Sequence, residues 1–87
     1  MEFTYTTENN EVTITEYTGN DKNVVIPEMI ENNFVVYIGD NAFKKKELTS
    51  ITIPHSVLYI GEYAFASNKL TNIQLPEFVI YIGCSAF

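Results

Sequence analysis

A block of residues recurs along this chain every 22 positions. Tyr37-Ile38-Gly39 followed by Ala42-Phe43 returns as Tyr59-Ile60-Gly61 with Ala64-Phe65, and again as Tyr81-Ile82-Gly83 with Ala86-Phe87. Between the copies, Leu48-Thr49-Ser50-Ile51-Thr52-Ile53-Pro54 returns as Leu70-Thr71-Asn72-Ile73-Gln74-Leu75-Pro76. Self-similarity at a fixed period of this length is the mark of a solenoid, in which each unit buries its apolar face only against its neighbours. A globular fold of 87 residues has a marginal core. Stacked coils escape that limit because stability accumulates coil by coil.

Aligned on the period, the apolar residues fall into columns. Val35, Val57 and Val79 form one; Ile38, Ile60 and Ile82 the next; then come Ala42, Ala64, Ala86 and Phe43, Phe65, Phe87. Leu48 pairs with Leu70, Ile51 with Ile73, and Ile53 with Leu75. Equivalent residues on stacked strands lie roughly 5 Å apart, so each column is expected to be a buried ladder. Gly39, Gly61 and Gly83 fit a bend that needs either positive φ or close backbone approach. The Ala-Phe step after each glycine predicts one short helical or 3₁₀ turn. Pro54 and Pro76 close strands where a ladder N–H is not wanted.

The first 34 residues depart from the period and read as an N-terminal cap, with coils over 35–87. Residues 3–17 alternate β-branched and aromatic side chains around Asn9-Asn10, which suits a two-residue hairpin turn. That register sets Thr7 opposite Val12, Tyr5 opposite Ile14 and Glu8 opposite Glu11. Val24-Val25-Ile26-Pro27 is a further short strand, and five extra residues lie between Pro27 and Gly39 relative to the later copies. Asn32-Asn33 in that insert is expected to turn a second hairpin. The third coil stops at Phe87 before its own Leu-x-x-Ile-x-Ile-Pro strand, which leaves the strand of Ile73 and Leu75 as an open edge. Self-association through that edge is expected, in a chain read as an excised piece.

These residues resemble the BspA-like leucine-rich repeats, also called the Treponema type. That pattern is Leu-x-x-Ile-x-Ile-Pro, then Val-x-x-Ile-Gly, then Ala-Phe, then a turn with Cys or Asn. Here it reads Leu70-Thr71-Asn72-Ile73-Gln74-Leu75-Pro76, then Val79-Ile80-Tyr81-Ile82-Gly83, then Ala86-Phe87. Lys46 departs from it, standing where Asn68 fills the Cys/Asn position, so the first turn is expected to lack its usual side-chain-to-backbone bond. The resemblance implies a right-handed, mainly β repeat solenoid with a hairpin cap. It also implies a non-enzymatic adhesion or protein-binding module, part of a larger extracellular or cell-surface protein. A structural spacer without a ligand is the alternative reading.

Charge and residue inventory narrow the chemistry. The formal charge is −6, with five basic residues, all lysine, so a nucleic-acid partner is not expected. Lys44-Lys45-Lys46 is followed by Glu47 and reads as a solvated turn. One cysteine, Cys84, excludes an internal disulfide and a CxxC metal pair; it reads as an ordinary exposed residue. No apolar run reaches membrane-spanning length. The first residues lack the pattern of a signal peptide, which leaves a cytoplasmic location open. The only histidine, His55, sits in a turn beside Pro54, and no serine lies in a nucleophile motif. No cofactor, metal or catalytic residue is expected.

Two surfaces are candidates for a protein or glycan ligand. The residues between the buried Val and Ile of each coil are Val36-Tyr37, Leu58-Tyr59 and Ile80-Tyr81, an outward stripe of aliphatic and aromatic side chains. Tyrosine is favoured at interfaces, which makes this stripe the first candidate. The alternative is the strand face of Ser50, Thr52, Asn72 and Gln74, whose uncharged groups suit a polar peptide or glycan.

Overall fold

The computed structural model describes residues 2–87. Nine strands make up the described chain: β1 Phe3–Glu8, β2 Glu11–Tyr17, β3 Asn23–Val25, β4 Met29–Ile30, β5 Asn33–Ile38, β6 Ser50–Thr52, β7 Tyr59–Ile60, β8 Asn72–Gln74 and β9 Tyr81–Ile82. They form two sheets. One runs β1-β2-β5-β7-β9, with β4 also on β5; the other runs β3-β6-β8. From β5 onward, and throughout the second sheet, neighbouring coils pair in parallel with equivalent residues in register: Tyr37 with Tyr59 with Tyr81, and Ser50 with Asn72. Among the described residues there is no helix, and none long and apolar enough to cross a membrane.

The cap follows from its turn chemistry. Asn9 and Asn10 have φ of 53° and 65°, the left-handed pair that a two-residue turn between right-twisted strands demands. The resulting pairs are Thr7–Val12, Tyr5–Ile14 and Glu8–Glu11, as the alternation predicts. The second hairpin is also present, but its turn is one residue earlier than expected. Glu31 and Asn32, at 51° and 68°, occupy the left-handed positions, and Asn33 already pairs with Ile30 in β5. β5 therefore runs across residue 34.

The cap also supplies a first rung that lies off the repeat. β2 pairs in parallel with β5, setting Val12 beside Val35 and Ile14 beside Ile38. The Tyr17 ring stacks on Phe43 at 5.4 Å, and the Tyr17 amide donates to the Ala42 carbonyl at 2.8 Å. An aromatic ladder thus runs from Tyr17 through Phe43 and Phe65 to Phe87, with 4.9 and 5.1 Å between the later rings. These spacings are those of strands in a sheet.

The glycine column resolves to one of its two expected causes, and the Ala-Phe step forms isolated turns rather than a helix. The glycines do not adopt positive φ. Close approach is what selects them: a Cβ at Gly61 would stand 2.7 Å from the Asp40 amide nitrogen, and one at Gly83 2.6 Å from that of Glu62. Left-handed φ falls instead two residues later, at Asn41, Tyr63 and Ser85. Isolated three-residue bonds form, Ala42 amide to Gly39 carbonyl and Lys44 to Asn41, and likewise Ala64 to Gly61 and Ala66 to Tyr63. The Phe amide between them donates to the next coil, so no 3₁₀ helix propagates.

Burial of the columns is graded. Val35, Val57, Ile38, Ile60, Phe43 and Phe65 are at most 1% exposed. Most of the last rungs are open: Ile73, Leu75, Ile82 and Phe87 are 40–50% exposed, because each packs against a coil on one side only, while the small Ala86 stays buried.

Candidate partner-binding face

The outward stripe divides into two surfaces. Tyr37, Tyr59 and Tyr81 line a groove of about 500 Å³ together with Glu8, Glu11 and Asp40. Val36 and Leu58 line a different one, of about 430 Å³, with Phe34, Phe78 and His55. The split recurs in the next coil, where Leu58 lines the second groove and Tyr59 the first with β5 and β7 in plain register, so it belongs to the repeat; β5 adds an irregularity of its own. Val12 pairs with Val35 and Thr13 with Tyr37, so Val36 is the extra residue of a β-bulge. A bulge re-aims its side chain. Val36 is consequently buried at 6%, which corrects its place on an exposed face. Leu58 and Tyr59 are half-buried, whereas Ile80 and Tyr81 are open to solvent.

In the tyrosine groove, parallel pairing of β5 with β7 puts Tyr37 directly over Tyr59. The rings stack at 4.8 Å and 12°. β2 lies on the other side of β5 and brings the hairpin tip, with Glu8 and Glu11, to the groove rim. Partial burial first, then the charges of Glu11 and Glu8, push the Tyr37 phenol above its ordinary pKa. Asp40 follows the close-packed Gly39, and its Oδ1 accepts the Glu62 amide at 2.8 Å, which holds the carboxylate in place. Among the described residues, no basic side chain lines this groove.

The strand face is built in the expected register, with Val25, Thr52 and Gln74 in one row and Asn23, Ser50 and Asn72 in the next. Its hydrogen-bonding capacity is partly used. Asn23 Oδ1 accepts from the Ser50 hydroxyl at 2.8 Å and from that of Thr49 at 3.1 Å. Ser50 and Thr52 are half-buried, while Asn72 and Gln74 are exposed.

The rest of the inventory is inert in placement. His55 is exposed, 3.9 Å from Glu77. Cys84 is exposed, with its sulfur 3.9 Å from the Ser85 hydroxyl. Among the described residues, no three His, Cys, Asp or Glu side chains gather as a metal ion would require.

Sequence reasoning missed two things. It paired Tyr37 with Val36 and left out Glu8 and Glu11, which reach the groove only through the pairing of the cap with β5. It also left the first turn uncapped at Lys46. Asn68, one coil on, caps that turn as well as its own. Its Oδ1 accepts the Lys46 and Leu48 amides at 3.0 Å each, and its Nδ2 donates to the Phe43 and Phe65 carbonyls at 2.8 Å each.

Known proteins share this architecture. Among curated proteins none matches. A T. pallidum leucine-rich-repeat protein of known structure is 33% identical with a TM-score of 0.86, over 90% of this chain and 38% of its own. One from Bacteroides capillosus is 33% identical with a TM-score of 0.83, over 93% of this chain and 66% of its own. A leucine-rich cell surface protein from Faecalibacterium prausnitzii is 33% identical with a TM-score of 0.90, over 99% of this chain and 26% of its own. This chain therefore spans between about a quarter and two thirds of the length of these three. The family model described as the BspA type leucine rich repeat region (6 copies) matches residues 36–87. With its period, its Ala-Phe ladder and its paired coils all in that pattern, the chain belongs to the BspA-type leucine-rich-repeat family.

Proposed function

We propose that this chain is a non-enzymatic binding module that works as part of a larger surface or secreted protein and adheres to protein ligands. Leucine-rich repeats are commonly protein-interaction modules, and the Faecalibacterium neighbour is a cell surface protein. The observation that carries the reading is the tyrosine column: Tyr37, Tyr59 and Tyr81 stand in register along one groove of an otherwise acidic chain, at positions repeated by the period rather than scattered. Outward aromatics in register give a partner a broad, rigid contact area at low entropic cost.

Beads coated with the chain, run over immobilised host-cell and matrix proteins in a flow cell, test this. Coated beads are expected to adhere well above albumin-coated beads, with free chain competing. Tyr37→Ser/Tyr59→Ser should remove adhesion while the protein still melts cooperatively. Adhesion no greater than that of albumin beads, on every surface, would establish the spacer reading instead.

A further inference from the structure

Resting on the binding-module reading, we infer that the tyrosine groove takes an extended, basic segment of a partner protein, with Arg or Lys side chains entering between the hairpin tip and the Tyr37–Tyr59 stack. The groove's charged lining is Glu8, Glu11 and Asp40, all acidic. None of the three forms an ion pair among the described residues; the basic side chains that are engaged lie elsewhere, Lys22 on Glu47, Lys46 on Glu16 and Lys44 over the Tyr63 ring. Glu8 and Glu11 face each other across the hairpin. Like charges directly opposite are unfavourable in the free protein, and a cation between them removes that cost.

The shape of the site selects among cations. Its carboxylates are too dispersed to close on one metal ion, since no three acidic, His or Cys side chains cluster among the described residues. Dispersed acceptors suit the several donors of a guanidinium or a run of ammonium groups. The aromatic component fits as well, because arginine and lysine associate with tyrosine rings. Tyr37 and Tyr59 cover one face of each other at 4.8 Å, so the remaining faces and the phenol edges are open to a cation or a sugar alike, and the carboxylates beside them favour the cation. The chain's net charge of −6 adds long-range attraction for a basic partner.

An NMR titration with a blocked hexapeptide of alternating Arg and Ser tests the assignment, with the Glu/Ser hexapeptide and a neutral N-acetylglucosamine tetramer run alongside. The Arg peptide should shift the Tyr37 and Tyr59 ring signals and the amides of residues 8–11, and the shifts should weaken as salt rises. Glu8→Gln/Glu11→Gln should weaken binding by about tenfold or more. Glu28→Gln/Glu77→Gln removes two charges away from the tyrosine groove, Glu28 in the other groove and Glu77 beside its His55, and should change binding by less than about twofold. The first variant should melt no lower than the parent, since it relieves the cross-strand repulsion. No tyrosine shift with the Arg peptide, equal losses in both variants, or the same signals moved by the sugar would each overturn the proposal. Bead adhesion that survives Glu8→Gln/Glu11→Gln intact would overturn it too, while leaving the binding-module reading standing.

Discussion

Phe65→Ala is expected to lower the unfolding free energy by about 3–5 kcal/mol, the range for truncating a buried aromatic. The ring is 1% exposed and lies between Phe43 and Phe87, stacked on both. Its removal leaves a void in the middle of the ladder that Ala64 and Ala66, held by their own backbone bonds, cannot close. Small domains hold about 5–15 kcal/mol in total, so this one change consumes much of the margin. Phe87, 44% exposed with one stacking partner, is the internal control, and Phe87→Ala should cost under about 2 kcal/mol. Urea melts followed by circular dichroism give both values. Equal losses at the two positions would mean that the rings are not stacked in series.

Asn68→Ala is the second large effect, at about 3–4 kcal/mol. The side chain is not apolar and fills no core volume, yet it ties two coils. Two amides, Lys46 and Leu48, and two carbonyls, Phe43 and Phe65, lose their partner together. These groups sit in a partly buried turn where water replaces the lost bonds poorly, and each backbone group left unpaired there costs about 1–3 kcal/mol before solvent relaxes it. Asn68→Asp keeps the two accepted bonds but sets a negative charge against two carbonyl oxygens, so it should recover little. If it melts like the parent, the amide donors contribute nothing and the cap acts through Oδ1 alone.

The difference between those two residues shows what the sequence makes legible. Phe65 belongs to a column, and a column is written in the chain as spacing; strict 22-residue recurrence of Val, Ile, Ala and Phe therefore yields the ladders directly. Tyr17 heads the same aromatic ladder but stands off that spacing from Phe43, so the repeat alone cannot find it. The bulge at Val36 is hidden for a related reason. In Val-x-x-Ile both middle positions look alike, and only pairing with β2, a strand from outside the repeat, makes Val36 the extra residue of a bulge. Glu8 and Glu11 reach the groove through that same pairing. Lys46 reads as a missing cap because one coil is read at a time, whereas Asn68 works across two. The glycine column is legible as a constraint but ambiguous in cause, since both left-handed φ and close approach exclude a Cβ. The backbone contacts at Gly61 and Gly83 decide for the latter.

All of these features depend on one arrangement: coils stacked in register, with a phenylalanine ladder inside and a tyrosine pair outside. Ring-to-ring nuclear Overhauser contacts in protein labelled only at Phe and Tyr test it most directly. Stacked coils predict cross-peaks of Phe65 to both Phe43 and Phe87, and of Tyr37 to Tyr59, at centroid separations of 4.8 to 5.1 Å. Contacts of Tyr37 with Phe43 in place of Tyr59, or a Phe65 ring with no contact to either neighbouring coil, would contradict it.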